Sequence, residues 1–187
     1  MVSVEALHRA ALEHTRAYVE GLGPEHWSQP TPCEGWDVRE LVNHIVAGNW
    51  WAAELADGAT IAEVGDRLDG DTLGEDPLKS YEASAQAAAS AFEEPGALER
   101  PCAVSYGPVP GSVYAGHRFL DVLIHGWDLA KATGQSTTLP PDLISGAREV
   151  LDPQLDMLRA SGEFGDDLSG GSADPQAALL GLVGRRP

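Results

Sequence analysis

Apolar residues recur at intervals of three and four along most of this chain, and alternation with a period of two is nearly absent. Such a pattern suits helices that bury one face and offers little to a sheet. The first stretch runs from about Ser3 to Leu22. Leu7, Ala10, Ala11, His14, Tyr18 and Val19 share its face, Ser3 can cap it, and Gly21 and Gly23-Pro24 stop it. A loop rich in proline and small polar residues (QPTPCEGW) follows. Asp37 then opens a second helix, and Glu40 three residues on completes a capping box. This helix continues through LVNHIVAGNWWAAELA to Gly58, with Leu41, His44, Gly48, Trp51 and Leu55 on one face. His44 is therefore directed inward.

The remaining segments follow the same logic. Asp57 to Asp76 is a long acidic connection in which Ile61, Val64 and Leu68 can form a short helix. Asp76-Pro77 provides a cap and a first-turn proline for a third helix reaching about Glu94, which Pro95-Gly96 ends. Arg100 to Gly111 (RPCAVSYGPVPG) reads as irregular or extended chain crossing back over a bundle. Ser112 can cap a fourth helix that closes at Gly134 with Lys131 in its last turn. Pro140-Pro141 starts a fifth helix reaching about Ala160, and Asp174-Pro175 caps a short tail helix ending in GRRP. No internal repeat or low-complexity tract interrupts the series. The fold class is all-α, a helix bundle with embellishments, and 187 residues suit one domain over 1–187.

Charge and cysteine usage narrow the setting. Twelve Lys plus Arg against 29 Asp plus Glu give a formal net charge of -17. That surface repels phosphate backbones and anionic lipids, so neither nucleic acid nor membrane is an expected partner. It also favours a neutral over an anionic small-molecule substrate. Cys33 and Cys102 stand in no CxxC pairing, which fits a reducing cytoplasm better than a disulfide framework. The first ten residues carry Glu5, His8 and Arg9 without an apolar run, unlike a signal peptide. No phosphate-cradling loop, dinucleotide fingerprint or Ser-His-Asp order is present.

Chemistry concentrates on the fourth helix. His117, Asp121, His125 and Asp128 lie at offsets of 0, 4, 8 and 11. At about 100° per residue they project within roughly 80° of one another as a polar stripe. An acid and a His at i and i+4 can aim both donor atoms at one point beside the helix, and a facing helix can supply a further ligand. His44 is the natural third member. Two imidazoles and one carboxylate leave open positions on a metal, the pattern of a reactive site. The same spacing also suits a hydrogen-bonded core histidine beside an i,i+4 ion pair.

TPCEGWDVRELVNH, followed far downstream by DVLIHGWDLAKATG, resembles the DinB-like metal-binding four-helix-bundle superfamily. The nearer likeness is to the branch related to the N-terminal domain of mycothiol-dependent maleylpyruvate isomerase, and it extends to the tail LLGLVGRRP. The resemblance implies a four-helix bundle with additional C-terminal helices. It also implies one divalent ion, zinc or nickel, held by His44, Asp121 and His125. Two departures stand out. The isomerase uses Glu where this chain has Asp121, which would draw the ion closer to that helix. The isomerase also has a separate C-terminal domain contributing an arginine, whereas only Gln135 to Pro187 follows the fourth helix here.

Other residues take lesser expected roles. His117 is the candidate catalytic group, as proton carrier or outer ligand. Asp128 can orient His125 by holding its tautomer. Trp127 and Trp50-Trp51 can wall an apolar pocket or pack in the core. Cys33 precedes a helix N-terminus but lacks a basic neighbour in sequence, so it reads as a structural thiol. Arg118 points to another face and serves solubility, and Arg185 and Arg186 belong to a frayed terminus. The resemblance implies a thiol transferase or isomerase in which a low-molecular-weight thiol such as mycothiol or bacillithiol attacks a small electrophile. A non-catalytic metal and ligand binder and a metal-dependent hydrolase need the same three ligands. An apolar face on the fifth helix would permit a homodimer.

Overall fold

Capping chemistry sets the starts of two long helices where the sequence places them. The computed structural model describes residues 2–155 and 168–186. In it α1 spans Val4–Glu20, α2 Val38–Ala56, the short α3 Ile61–Val64 and α4 Pro77–Glu93. The strands β1 (Pro101–Val104) and β2 (Gly107–Pro110) lead into α5 (Gly111–Thr133). Then come α6 (Pro141–Leu151), a 3-10 turn at Asp152–Gln154, and α7 (Pro175–Leu182). At the start of α2 the Asp37 carboxylate accepts from the Glu40 amide at 2.9 Å, and Glu40 accepts from the Asp37 amide at 2.9 Å. Asp76 accepts from the Lys79 amide at 3.1 Å and Pro77 occupies the first turn of α4. Ser3 sits at the cap of α1 without a side-chain bond.

The crossing segment departs from expectation. Arg100 to Gly111 is not irregular: it forms an antiparallel hairpin in which Pro101 faces Pro110 and Cys102 faces Val109. Four-residue strands, three of their eight positions proline, are too short to show a period of two. The hairpin also feeds straight into α5, which starts at Gly111 with Pro110 at the cap position. The amides of Gly111 and Ser112 donate to the Arg100 and Leu98 carbonyls, each at 2.8 Å. Ser112 is therefore inside the first turn and caps nothing.

The chain forms two compact units, Met1–Thr137 and Thr138–Pro187. In the first, α1 packs on α5 and α4, while α2 packs on α4 and α5. This is a four-helix bundle with α1 and α2 at opposite corners, the all-α architecture the periodicity predicts. Leu41, Val42, Ile45 and Val46 of α2 and Phe119, Val122 and Leu123 of α5 belong to its core and have no solvent exposure. Gly126 lets α1 come close to α5, because a Cβ there would collide with Thr15. Thr15 Oγ1 instead donates to the Val122 carbonyl at 3.2 Å. None of the described helices is long and apolar enough to cross a membrane.

In the second unit α6 packs on α7. Leu143, Ile144, Ala147 and Leu151 are buried, so the apolar face of α6 is covered within the chain. The fifth helix is expected to reach about Ala160; α6 ends at Leu151, and positions 156–160 lie outside the described residues. Arg185, expected in a frayed terminus, closes α7: its amide donates to the Leu180 carbonyl at 2.8 Å and its Nη1 to the Val183 carbonyl at 3.1 Å.

One core residue carries a pH signature. His8 is wholly buried, edge-on to Phe92 at 5.2 Å, and neither ring nitrogen has a hydrogen-bond partner among the described residues. Burial, with the guanidinium groups of Arg118 and Arg9 adding to it, pushes its pKa down to about 3 from 6.5. The unfolded chain therefore takes up a proton that the folded chain refuses. Its contribution is constant above pH 6.5, and stability falls as the pH drops from 6.5 towards 3. The limiting slope is about 1.4 kcal/mol per pH unit. Urea denaturation at a series of pH values should show that slope, and His8→Leu should remove it.

Candidate metal centre

The site is built where α2 and α5 face each other. His44 lies in the second turn of α2, and the capping box at Asp37 sets the register of that helix. Its Nε2 is 3.2 Å from Asp121 Oδ1 of α5. One turn on, His125 Nε2 lies 3.6 Å from the same oxygen. The two imidazoles meet edge-to-face at 4.9 Å, and the three donor atoms lie within 4.8 Å of one another. Donors about 2.0–2.1 Å from a tetrahedral ion stand about 3.3 Å apart. The observed separations are close to that edge, so two neutral nitrogens and one carboxylate oxygen fit a borderline divalent cation.

The second carboxylate oxygen is already engaged. Arg118 Nη1 donates to Asp121 Oδ2 at 3.0 Å, and its Nη2 donates to Asn49 Oδ1 at 3.3 Å. Arg118 is buried, with 8% exposure. Burial works to raise the Asp121 carboxyl, but Arg118, His125 and the His44 bond hold it well below the usual carboxylate range. For His125 burial acts downward, yet Asp121 and hydrogen bonds to Asp128 and Cys33 push its pKa up to about 10. Without an ion the Asp121 carboxylate is balanced by Arg118 and by a proton on His125, and a cation held by His125 takes the place of that proton.

The loop before α2 closes the site. Gly35, at φ +81°, turns the chain so that the Trp36 amide donates to the Cys33 carbonyl at 3.1 Å and the Thr31 amide to the Trp36 carbonyl at 3.1 Å. Trp36 is thereby laid over both histidines, 4.8 Å from the His44 ring and 6.0 Å from the His125 ring. Cys33 Sγ comes 3.3 Å from Asp128 Oδ2 and 3.6 Å from His125 Nδ1. Asp128 Oδ2 is itself 3.1 Å from His125 Nδ1.

A family profile described as "Mycothiol maleylpyruvate isomerase N-terminal domain" matches residues 8–130, which contain all of these groups. The chain belongs to this family. Two uncharacterised proteins from Mycobacterium tuberculosis strains, H37Rv and CDC 1551 / Oshkosh, are each 34% identical to it over 187 residues, 95% of this chain and 97% of theirs. Among solved structures, mycothiol-dependent maleylpyruvate isomerase aligns with a TM-score of 0.67 at 18% identity, covering 93% of this chain and 81% of that one. A mutant of the isomerase aligns with a TM-score of 0.68 at 17% identity and the same coverage. These structures share the fold with this member of the family.

Within that fold, the residues named from sequence fall into three groups. His44, Asp121 and His125 converge. Asp128 stands behind His125, as the stripe suggests. His117 is apart from them: its Nδ1 is 2.6 Å from the hydroxyl of Tyr106, at the hairpin turn. Trp127 is core, 1% exposed, and the aromatic wall is Trp36 rather than Trp50-Trp51. Two expectations fail. Arg118 is not a solubility residue, and Cys33 has basic and acidic partners brought by the fold from far along the chain. A signal for Arg118 was present in Gly48, one turn after His44. A Cβ at Gly48 would sit 2.5 Å from Arg118 Nη1, so the missing side chain makes room for the guanidinium.

Replacing Arg118 by Leu leaves Asp121 Oδ2 and Asn49 Oδ1 without their donor. The expected cost is about 1–3 kcal/mol in chemical denaturation. The Asp121 carboxyl should titrate at higher pH in carbon-detected NMR. Unchanged stability together with an unchanged carboxyl would remove Arg118 from the site.

Proposed function

We propose that this protein holds one divalent ion, zinc or nickel, on His44, Asp121 and His125, and uses it to activate a low-molecular-weight thiol against a small electrophile. The observation that carries this reading is the meeting of both Nε2 atoms on Asp121 Oδ1 while Arg118 occupies Oδ2. The solved relatives are named as mycothiol-dependent, so mycothiol is the first thiol to test here. When bound, such an ion supplies Lewis acidity that brings a thiol or water towards ionisation near neutral pH.

The chain's own residues prepare that chemistry. Arg118 keeps the Asp121 carboxylate ionised and turns one oxygen towards the histidines. Asp128 accepts from His125 Nδ1, which fixes the tautomer and frees Nε2 as a ligand. Trp36 shields the His44 and His125 rings from water on one side. His117 lies one turn before Asp121, about 6 Å along the helix axis, where it can take up a proton released at the site. Its bond to Tyr106 orients the ring. The -17 charge favours a neutral electrophile, and Cys33 and Cys102, which stand in no CxxC pairing, favour a reducing cytoplasm.

Metal analysis of the purified protein should find a single equivalent of zinc or nickel. His44→Ala and Asp121→Asn should each weaken binding by more than the roughly 10–100-fold that loss of a supporting residue costs. With mycothiol and a panel of neutral electrophiles, the loaded protein should form thioether or isomerised product. A bound ion with no turnover would reduce the protein to a metal and ligand binder, and hydrolysis without thiol would make it a hydrolase. No ion after reconstitution would end the proposal. His117→Gln should leave metal content intact, lower kcat about 100-fold and flatten one limb of the pH profile. An unaltered profile would return His117 to a structural role.

A further inference from the structure

His125 has two faces, and only one of them looks at His44 and Asp121. Around the other, Cys33 Sγ, His125 Nδ1 and Asp128 Oδ2 form a triangle with sides of 3.6, 3.3 and 3.1 Å. Ion–donor lengths of about 2.3 Å for sulfur, 2.0–2.1 Å for imidazole nitrogen and 2.0–2.2 Å for carboxylate oxygen put tetrahedral edges at about 3.3–3.6 Å. The triangle is therefore nearly sized for one ion. The three donors come from rigid places. Asp128 is fully buried in α5, and Cys33 is held by its amide donating to Thr31 Oγ1 at 3.1 Å. Cys33 is half-buried, which leaves an approach from solvent.

We infer that Cys33, His125 Nδ1 and Asp128 form a second metal position, selective for thiophilic divalent cations such as cadmium, cobalt or zinc. Sulfur, imidazole and carboxylate together prefer such ions to magnesium or calcium. A neutral imidazole offers one lone-pair nitrogen at a time. An ion on Nε2 leaves the proton on Nδ1, facing Asp128 and Cys33. An ion on Nδ1 leaves the proton on Nε2, facing Asp121. The two positions thus exclude each other through the tautomer of a single ring, a competition that rests on the first position being a metal site as proposed above. The second position itself does not depend on it. Binding there releases two protons to solvent, one from the Cys33 thiol, which becomes a thiolate, and one from His125, which becomes a neutral imidazole with its lone pair on Nδ1. A thiophilic ion in excess would displace the working ion by turning His125 to its other tautomer.

Cobalt(II) titration tests this on the whole protein, because thiolate ligation gives a near-ultraviolet charge-transfer band that nitrogen and oxygen ligation lacks. In the wild type the first position should fill with little of that band. His44→Ala weakens the first position and should make the band appear strongly. Cys33→Ser or Cys33→Ala in the His44→Ala background should abolish it. Circular dichroism would check that each variant is folded. Nitrogen-15 shifts of His125 with cadmium give an independent readout: in the wild type Nε2 should move at one equivalent and Nδ1 in excess, and in His44→Ala Nδ1 alone should move. Absence of the band in folded His44→Ala, with no Nδ1 shift, overturns the second position. A band that survives removal of Cys33 also overturns it. Wild-type cobalt binding indifferent to His44 would instead sink the first position and leave the second standing.

Discussion

The part-buried ion pair between Arg118 and Asp121 is the interaction on which the rest of the site depends. A carboxylate between two helices would lose its hydration and prefer to be neutral, because burial disfavours the charged form. Arg118 reverses that preference from one side while two imidazoles compensate from the other. The arrangement also divides the carboxylate. One oxygen is committed to the protein, and the other is turned towards the space shared by His44 and His125. Asn49 and the hole left by Gly48 keep the guanidinium in place. Structural support and the orientation of the carboxylate are thus the same set of contacts.

A second layer surrounds that pair. The turn from Thr31 to Trp36 has hydrogen bonds of its own, so it is a formed object rather than a loose connection. It delivers both an aromatic face and a thiol to His125. An imidazole clasped in this way has both nitrogens engaged, one by the α2–α5 interface and one by Asp128 and Cys33. The ring becomes a junction between two donor sets. Most of the acidic surface takes no part in this, and in a chain of charge -17 the cationic influence on the site is local, in the buried guanidinium of Arg118.

The fold was largely legible because its helices announce themselves locally. Asp37 with Glu40, Asp76 with Pro77, and the left-handed Gly134 each act on neighbouring backbone, within reach of a short window of sequence. The hairpin from Pro101 to Pro110 was not legible. Its strands are held by pairing with each other and by the adjoining helix start, and four residues cannot display a period. Of the site, the stripe on α5 was visible because helical geometry alone puts Asp121, His125 and Asp128 on one side. His44 could be assigned an inward direction by the same geometry and joined to Asp121 and His125 as a third donor, but the distances between them come only from helix packing.

By itself, then, the sequence determined which segments are helical, where they begin, and which side chains each helix presents inward. Those properties follow from backbone hydrogen bonding and a 3.6-residue repeat, which act over a few residues. Only the tertiary structure decided what those inward faces meet. Arg118 reads as a surface charge until α2 brings Asn49 and a glycine hole to receive it. Cys33 reads as an isolated thiol until the loop carries it across to α5. Contacts between residues remote in sequence arise from the packing of whole helices, and no local pattern encodes which partner will arrive.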